Sequence, residues 1–169
     1  MGSLLVDNKA RIDKMNKTLS VPEWHQMAAE GNAPPVRITL GGYSMNPLIR
    51  GFRDYVTVKP ADGLIEVGDI VMFSEPGTNR YIIHRVWNLE RDRVLTWGDN
   101  CLKPDGWIMR ENVWGKVVLI ERGKRVIRPD PQKGVRWATF WHPLGRIYRF
   151  GRRIRQGVLC RIKRIMHRK

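Results

Sequence analysis

The run Val36-Arg37-Ile38-Thr39-Leu40 opens the stretch that decides the fold, residues 36–127. Apolar and polar side chains alternate along it, which is the period of a β-strand with one buried face. Further short runs of this kind follow, separated by Gly, Pro, Asn and Asp, at residues 55–58, 69–74, 80–87, 93–97 and 113–121. This spacing predicts a mainly β domain that is coiled into a barrel-like shape.

A short helical segment is predicted before this domain, within residues 1–35. Ser20 and Glu23 have the spacing of a capping box, and Pro22 suits the first turn of a helix. The helix is expected to end at Gly31-Asn32, because glycine and asparagine commonly follow the last helical turn.

A basic tail, residues 128–169, is predicted after the β domain. The chain of 169 residues has a formal net charge of +15, and from Arg122 onward 16 Lys and Arg accompany a single acid, Asp130. The preceding residues are balanced in charge. Apolar residues recur in the tail at helical three- and four-residue steps: Ile147, Phe150, Ile154, Val158, Ile162 and Ile165. The pattern predicts an amphipathic basic helix.

Residues 137–169 admit three interpretations. The segregation of apolar from basic side chains favours docking on an anionic membrane surface. Binding of an acidic peptide or of nucleic acid is disfavoured, since a purely nucleic-acid-binding face would not require the isoleucines. In the third interpretation the apolar stripe packs on the domain's own core. Trp137 and Trp141 fit a core almost as well as they fit a membrane interface.

Four residues of the β domain could form a hydrolytic site. A serine hydroxyl becomes a nucleophile when a base takes its proton, and the base works best when a third group orients its ring. The candidates lie in Gly42-Tyr43-Ser44-Met45-Asn46-Pro47, in Ile83-His84-Arg85-Val86, in Gly98-Asp99-Asn100, and at Asp105, six residues past Asp99. Ser44, His84 and Asp105 could therefore serve as nucleophile, base and orienting acid.

These boxes, with Gly68-Asp69-Ile70-Val71 between them and Val113-Trp114-Gly115-Lys116-Val117 after them, resemble the signal peptidase and LexA-like superfamily of serine peptidases. The resemblance covers residues 36–120 and depends on the order and spacing of five boxes. It implies the coiled β fold of that superfamily and hydrolysis of peptide bonds. The base is lysine in bacterial signal peptidases and LexA-like proteins, and histidine in endoplasmic-reticulum, archaeal and some bacterial signal peptidases. His84 therefore indicates the histidine branch.

The resemblance also implies roles for the acids and for the oxyanion donors. Asp105 matches the acid that orients the base, and Asp99 matches an acid with a supporting role. Gly98-Asp99-Asn100 is also typical of a hairpin turn, and both interpretations can hold together. The backbone N–H of Ser44 is the expected oxyanion donor. Some members add a side-chain donor two residues before the nucleophile, where this chain has Gly42.

A substrate cleft beside the nucleophile is a further implication of the resemblance. The superfamily pairs an extended peptide with strands next to the serine and admits small residues at the cleavage site. Gly42, Tyr43 and Met45 are the candidates to bind substrate, and burial of Met45 as an anchor of the turn is the alternative. Cys101 and Cys160 match no metal-ligand spacing, so we expect neither a metal nor a cofactor.

The sequence as a whole predicts a serine endopeptidase that cleaves a leader or precursor peptide. One alternative is a catalytically silent peptide- or membrane-binding module on the same fold. The other is a LexA-like self-cleaving regulator, for which residues 1–35 are too short to form a helix-turn-helix domain.

No run approaches the roughly 20 apolar residues of a membrane span, and residues 1–11 lack the apolar core of a secretory signal. We expect a cytoplasmic protein, peripheral on the inner membrane surface.

Overall fold

The computed structural model describes residues 12–14, 17–61, 64–75, 78 and 80–141. Ten strands in these residues form one antiparallel sheet. They are, in chain order, β1 (Ile12–Lys14), β2 (Lys17–Leu19), β3 (Val36–Thr39), β4 (Tyr55–Pro60), β5 (Ile70–Ser74), β6 (Tyr81–Leu89), β7 (Arg93–Trp97), β8 (Gly106–Met109), β9 (Val113–Arg122) and β10 (Arg125–Ile127). The prediction of a mainly β fold is confirmed.

The strand order places the end of the domain in the middle of the sheet. The order is β2-β1-β3-β4-β9-β5-β6-β7-β8, with β10 paired to β9. Strand β9 pairs with both β4 and β5, and thereby joins β3 and β4, which flank the loop that contains Ser44, to β5 and β6, of which β6 contains His84. Strands β2 and β8 lie at the two ends of this order, so the predicted barrel-like closure stays a prediction.

Helix α1 (Val21–Ala29) begins as the capping-box pattern predicts. The Ser20 hydroxyl accepts a hydrogen bond from the Glu23 N–H, and the Glu23 carboxylate accepts one from the Ser20 N–H. Trp24 is completely buried, and its Nε1 donates to the Pro34 carbonyl at 2.8 Å. The helix is thus fixed to the sheet by an apolar anchor and one directional bond.

The rest of the N-terminal segment differs from the prediction. The helical pattern predicted for residues 1–35 is wrong at β1 and β2, which form a tight hairpin. Strand β1 also pairs with β3, so the hairpin extends the sheet. Short isolated helices are marginal in water, and much of their backbone lies in end turns whose N–H and C=O groups are unpaired. The edge of a sheet offers hydrogen-bond partners for such groups.

Successive residues of β6 enter two different apolar clusters, one on each face of the sheet. Ile83 lies in a cluster with Trp24, whereas Ile82 lies in the other. Side chains alternate across a strand, so the neighbours His84 and Arg85 point to opposite faces. Both are buried, with 4% and 2% of their surface exposed. The strand therefore places a base on one face and a permanent cation on the other.

A second helix, α2 (residues 131–141), follows β10. Asp130 caps it by accepting a hydrogen bond from the Lys133 N–H at 3.0 Å. Ala138 is completely buried, and the Pro131 carbonyl lies in contact with Gly68.

The amphipathic pattern predicted beyond this helix, in residues 142–169, lies outside the described residues. Within the described ones, no helix has the length and apolar character needed to cross a membrane.

Candidate active site

The structure brings Ser44 and His84 together. Ser44 lies in the loop after β3, and His84 lies within β6. Ser44 Oγ is 2.6 Å from His84 Nε2, and Ser44 is 6% exposed. A hydroxyl within hydrogen-bond distance of an imidazole is the arrangement that general-base activation of a nucleophile requires.

Asp105 contacts the other nitrogen of the same ring. Its Oδ2 is 2.6 Å from His84 Nδ1 and also accepts a hydrogen bond from Thr96 Oγ1 at 2.9 Å. The Asp105 N–H donates to the Thr96 carbonyl at 2.9 Å, so Thr96 fixes this acid through both its backbone and its side chain. A carboxylate at Nδ1 holds the proton on that nitrogen and leaves the Nε2 lone pair directed at Ser44.

Ser44, His84 and Asp105 thus form one continuous chain of hydrogen bonds. No family model matches the protein, and no curated protein or solved structure matches it. The chemistry that the site supports therefore follows from its own geometry.

Asp99 lies on the Arg85 face of β6 and binds that residue rather than His84. Two parallel bonds join the pair, Arg85 Nε to Asp99 Oδ1 at 2.8 Å and Nη2 to Oδ2 at 2.7 Å. Arg85 Nη1 donates further to the Gly68 carbonyl at 2.9 Å. Asp99 is completely buried. Asp99, one of the four candidate catalytic residues and the one given a supporting role, therefore binds Arg85 and has no hydrogen bond to His84 or Ser44.

Asn100 connects this ion pair to the nucleophile loop. Its N–H donates to the Ser44 carbonyl at 2.5 Å, and its side-chain Nδ2 donates to the Tyr43 carbonyl at 3.0 Å. The neighbouring Asp99 anchors the same turn to β6. Two carbonyls of the nucleophile loop are thereby held by a turn that is itself fixed to the strand of the base.

Gly98 allows this turn to lie directly against the base. A Cβ at this position would lie 2.7 Å from His84 Nε2 and 2.7 Å from Cys101 Sγ. Both distances are well inside van der Waals contact, so a larger residue would push the turn away from His84. The same crowding places the Cys101 thiol beside the imidazole.

The environment of His84 shifts its pKa strongly. Burial lowers the pKa, but the hydrogen bonds and charges of Asp105 and Cys101 raise it more, to about 9 from an ordinary value of 6.5. The imidazole is therefore protonated at neutral pH. Its neutral form, which can accept the Ser44 proton, becomes abundant as the pH rises through about 9.

The three residues predicted to bind substrate differ in exposure. Tyr43 is 60% exposed, whereas Met45 is 1% exposed and packs in the core with Ile49. Met45 therefore anchors the turn, which is the second of the two interpretations given for it. Gly42 contributes only backbone, and that backbone lies against Gly51.

Sequence reasoning assigned no role to Thr96, Arg85 or Cys101. Arg85 carried a signal, since a cation inside the apolar run of residues 80–87 needs a buried acid as its partner. Thr96 and Cys101 carried none, because their contacts depend on the pairing of β7 and on a tight turn. Among the described residues, no three His, Cys, Asp or Glu side chains are grouped so that they could hold a metal ion.

Proposed function

We propose that this chain is a serine endopeptidase of the signal peptidase type that cleaves a leader or precursor peptide. The observation that carries the proposal is the hydrogen-bond chain from Ser44 through His84 to Asp105, with 2.6 Å at each step. The order of the sequence boxes supports it, because they resemble the histidine branch of the signal peptidase superfamily.

Acylation in this site begins with neutral His84. Its Nδ1–H donates to Asp105, and its Nε2 accepts the Ser44 proton while Oγ attacks the carbonyl carbon of the scissile bond. Asp105 stabilises the imidazolium that forms. His84 then gives the proton to the leaving amine, and the acyl group remains on Ser44 until a water molecule, activated by the same imidazole, hydrolyses the ester.

The negative charge of the tetrahedral intermediate needs donors close to Ser44. Its own N–H has no hydrogen-bond acceptor among the described residues and is available to the oxyanion. The loop that presents this N–H is held in place by Asn100, so the donor needs little reorganisation during the reaction. Gly42 adds no side-chain donor to it.

We place the enzyme on the cytosolic side of a membrane, attached peripherally through residues 137–169. In helix α2, Phe140 is 68% exposed, and Trp137 stacks on Trp141 with 5.4 Å between ring centroids. One exposed and two half-buried aromatic rings, followed by a strongly basic sequence, suit the interface of an anionic bilayer. Nucleic acid is the less suitable partner, since phosphate contacts alone would not use these rings.

A comparison of peptide N-termini in cells tests the proposal while the natural substrate is still unidentified. Cells producing the wild type, Ser44→Ala or His84→Ala are compared by mass spectrometry. We expect a set of new termini with the wild type only, preceded by small residues. Identical profiles from three folded, equally abundant proteins would contradict a peptidase and favour the silent binding module.

A further inference from the structure

Two aromatic rings are exposed next to the nucleophile. Tyr43 directly precedes Ser44, and its ring meets that of Phe52 edge-on, with 5.6 Å between the centroids. Tyr43 is 60% exposed and Phe52 is 62% exposed. Aromatic side chains usually contribute to folding by being buried, so a pair left in solvent marks a surface that a ligand can cover. We call Tyr43 and Phe52 the aromatic rim.

The backbone beneath Phe52 is held in an unfavourable conformation. Its φ is +63°, and no other described residue except glycine has a positive φ. The Phe52 N–H donates to the Leu40 carbonyl at 2.7 Å, and a Cβ on the preceding Gly51 would overlap the Gly42 carbonyl. The loops before and after the nucleophile are therefore locked together with the ring outward. Strain of this kind is retained mainly at functional sites.

The aromatic rim lies in a positively charged surrounding. Arg50 and Arg53 flank Phe52, and both are exposed. The nearby acid, Asp54, is 1% exposed and is paired with Arg122 at 2.7 Å. The Arg50 N–H also donates to Asp54 at 2.9 Å, and the charge of Arg50 helps to lower the pKa of that carboxyl. Three cations, Arg50, Arg53 and Arg122, thus accompany one acid, and the net positive charge can attract anionic groups from outside.

We propose that the aromatic rim, together with Arg50 and Arg53, determines which peptide the site cleaves. The two rings bind an apolar side chain close to the scissile bond, and the guanidinium groups bind acidic residues beside it. This inference rests on the proposed peptidase function and names its substrate class: a precursor with an apolar residue next to acidic ones near the cleavage site.

A peptide fits this surface better than a lipid bilayer does. The rim begins at the residue next to the nucleophile, and the Tyr43 carbonyl accepts hydrogen bonds from the Asn46 N–H and from Asn100 Nδ2. The backbone that carries the Tyr43 ring is therefore part of the network that fixes Ser44. A surface fixed in advance loses little conformational freedom on binding, which favours recognition of one side chain at a defined distance from the scissile bond.

The test uses the full-length protein and a library of synthetic peptides in which each position is varied among small, apolar, acidic and basic residues. Cleavage is read by mass spectrometry for the wild type, Ser44→Ala, Phe52→Gly, Tyr43→Ala and Arg53→Glu. The matched control is Val126→Ala, which removes an exposed apolar side chain of β10. Phospholipid vesicles with anionic headgroups provide a parallel binding measurement.

We expect the wild type to prefer an apolar residue at one position and acidic residues next to it. Phe52→Gly and Tyr43→Ala flatten that apolar preference and lower kcat/KM by about tenfold, mainly through KM. Arg53→Glu changes the neighbouring preference from acidic to basic. Val126→Ala leaves the profile unchanged. Phe52→Gly keeps a Tm at or above that of the wild type, because glycine relieves the strained backbone.

The outcomes separate this inference from the function on which it rests. Ser44-dependent cleavage with a profile that no rim variant alters would overturn the inference and leave the peptidase intact. The same holds if the rim variants reduce vesicle binding alone, or if Phe52→Gly lowers Tm by several degrees. The absence of any Ser44-dependent cleavage would contradict the peptidase and the inference together.

Discussion

The two faces of strand β6 use buried charge in opposite ways. On one face, His84 lies between Ser44 and Asp105, with 2.6 Å to each. On the other face, Arg85 binds Asp99 through two bonds and the Gly68 carbonyl through a third. One face holds a proton that can move, and the other holds a charge that cannot change.

The difference shows how a single strand can carry both chemistry and its support. Arginine stays protonated at all accessible pH, so its pair with Asp99 serves as a fixed joint between β6 and the turn at residues 98–101. Histidine can exchange its proton, so the hydrogen bonds of His84 can change during a reaction. The Arg85–Asp99 pair holds the turn at residues 98–101, and Asn100 of that turn binds the loop that contains Ser44. The position of Ser44 therefore depends indirectly on the ion pair.

The largest effect is expected from Asp105→Asn, which changes only the face of β6 that carries His84. An amide can donate to Nδ1 and thereby favour the wrong tautomer of His84. We expect kcat to fall by about 10³–10⁴-fold with little change in Tm. Steady-state kinetics on a cleaved peptide and thermal unfolding measure the two quantities. A loss of activity that merely follows a loss of folded protein would contradict the separation of the two faces.

On the Arg85 face of β6, the larger effect is expected on stability rather than on kcat. Asp99→Leu leaves the Arg85 charge buried without an acid to balance it and should reduce the free energy of unfolding by about 3–5 kcal/mol. The double variant Arg85→Met with Asp99→Leu should recover much of that loss, because an apolar pair carries no unpaired charge. Chemical denaturation of Asp99→Leu, of Arg85→Met and of the double variant measures this. A double variant as unstable as the sum of the single ones would show that the pair does not act as a unit.

The pH dependence of stability sharpens the comparison. The pKa of His84 is raised in the folded protein to about 9 from 6.5, so its stabilising contribution is complete below the lower value and is lost as pH rises through about 9. This contribution is about 3 kcal/mol. Denaturation across this range should show the loss in the wild type and not in His84→Gln. Activity should rise over the same range, since neutral His84 is the base.

A smaller effect is expected from Cys101→Ala. The thiol raises the pKa of His84, so its removal should lower that pKa and move the rise of activity toward neutral pH. The pH profile of kcat/KM measures the shift, with Cys101→Ser as the variant that retains a hydrogen-bonding group. An unchanged profile in the alanine variant would show that Cys101 does not contribute to the pKa of the base.

Most of the strands followed from local patterns. The alternation in β3 and the apolar runs of β5 and β6 are strong signals, and each predicted run contains a strand. Strands β8 (Gly-Trp-Ile-Met) and β10 (Arg-Val-Ile) were missed because neither alternates apolar with polar residues. The hairpin of β1 and β2 was missed because its pairing with β3 depends on residues distant in sequence.

The three residues of the hydrogen-bond chain were also accessible from sequence, because each lies in a recognisable box. Ser44, His84 and Asp105 come together as those boxes predict. The resemblance also distinguished the two acids, since it gave the base to Asp105 and a supporting role to Asp99. The partner of Asp99, Arg85, was not predicted, because the side of β6 that Asp99 reaches is set by strand pairing and by a close approach at Gly98 rather than by composition.

Labelling with a fluorophosphonate probe tests the central claim most directly, because it needs no peptide substrate. The probe reacts with a serine whose hydroxyl is activated by a base, and mass spectrometry locates the adduct. We predict an adduct on Ser44, formed faster as the pH rises through the pKa of His84 and lost in His84→Ala. Folded protein that gives no Ser44 adduct at any such pH, or that labels equally in His84→Ala, would contradict the account.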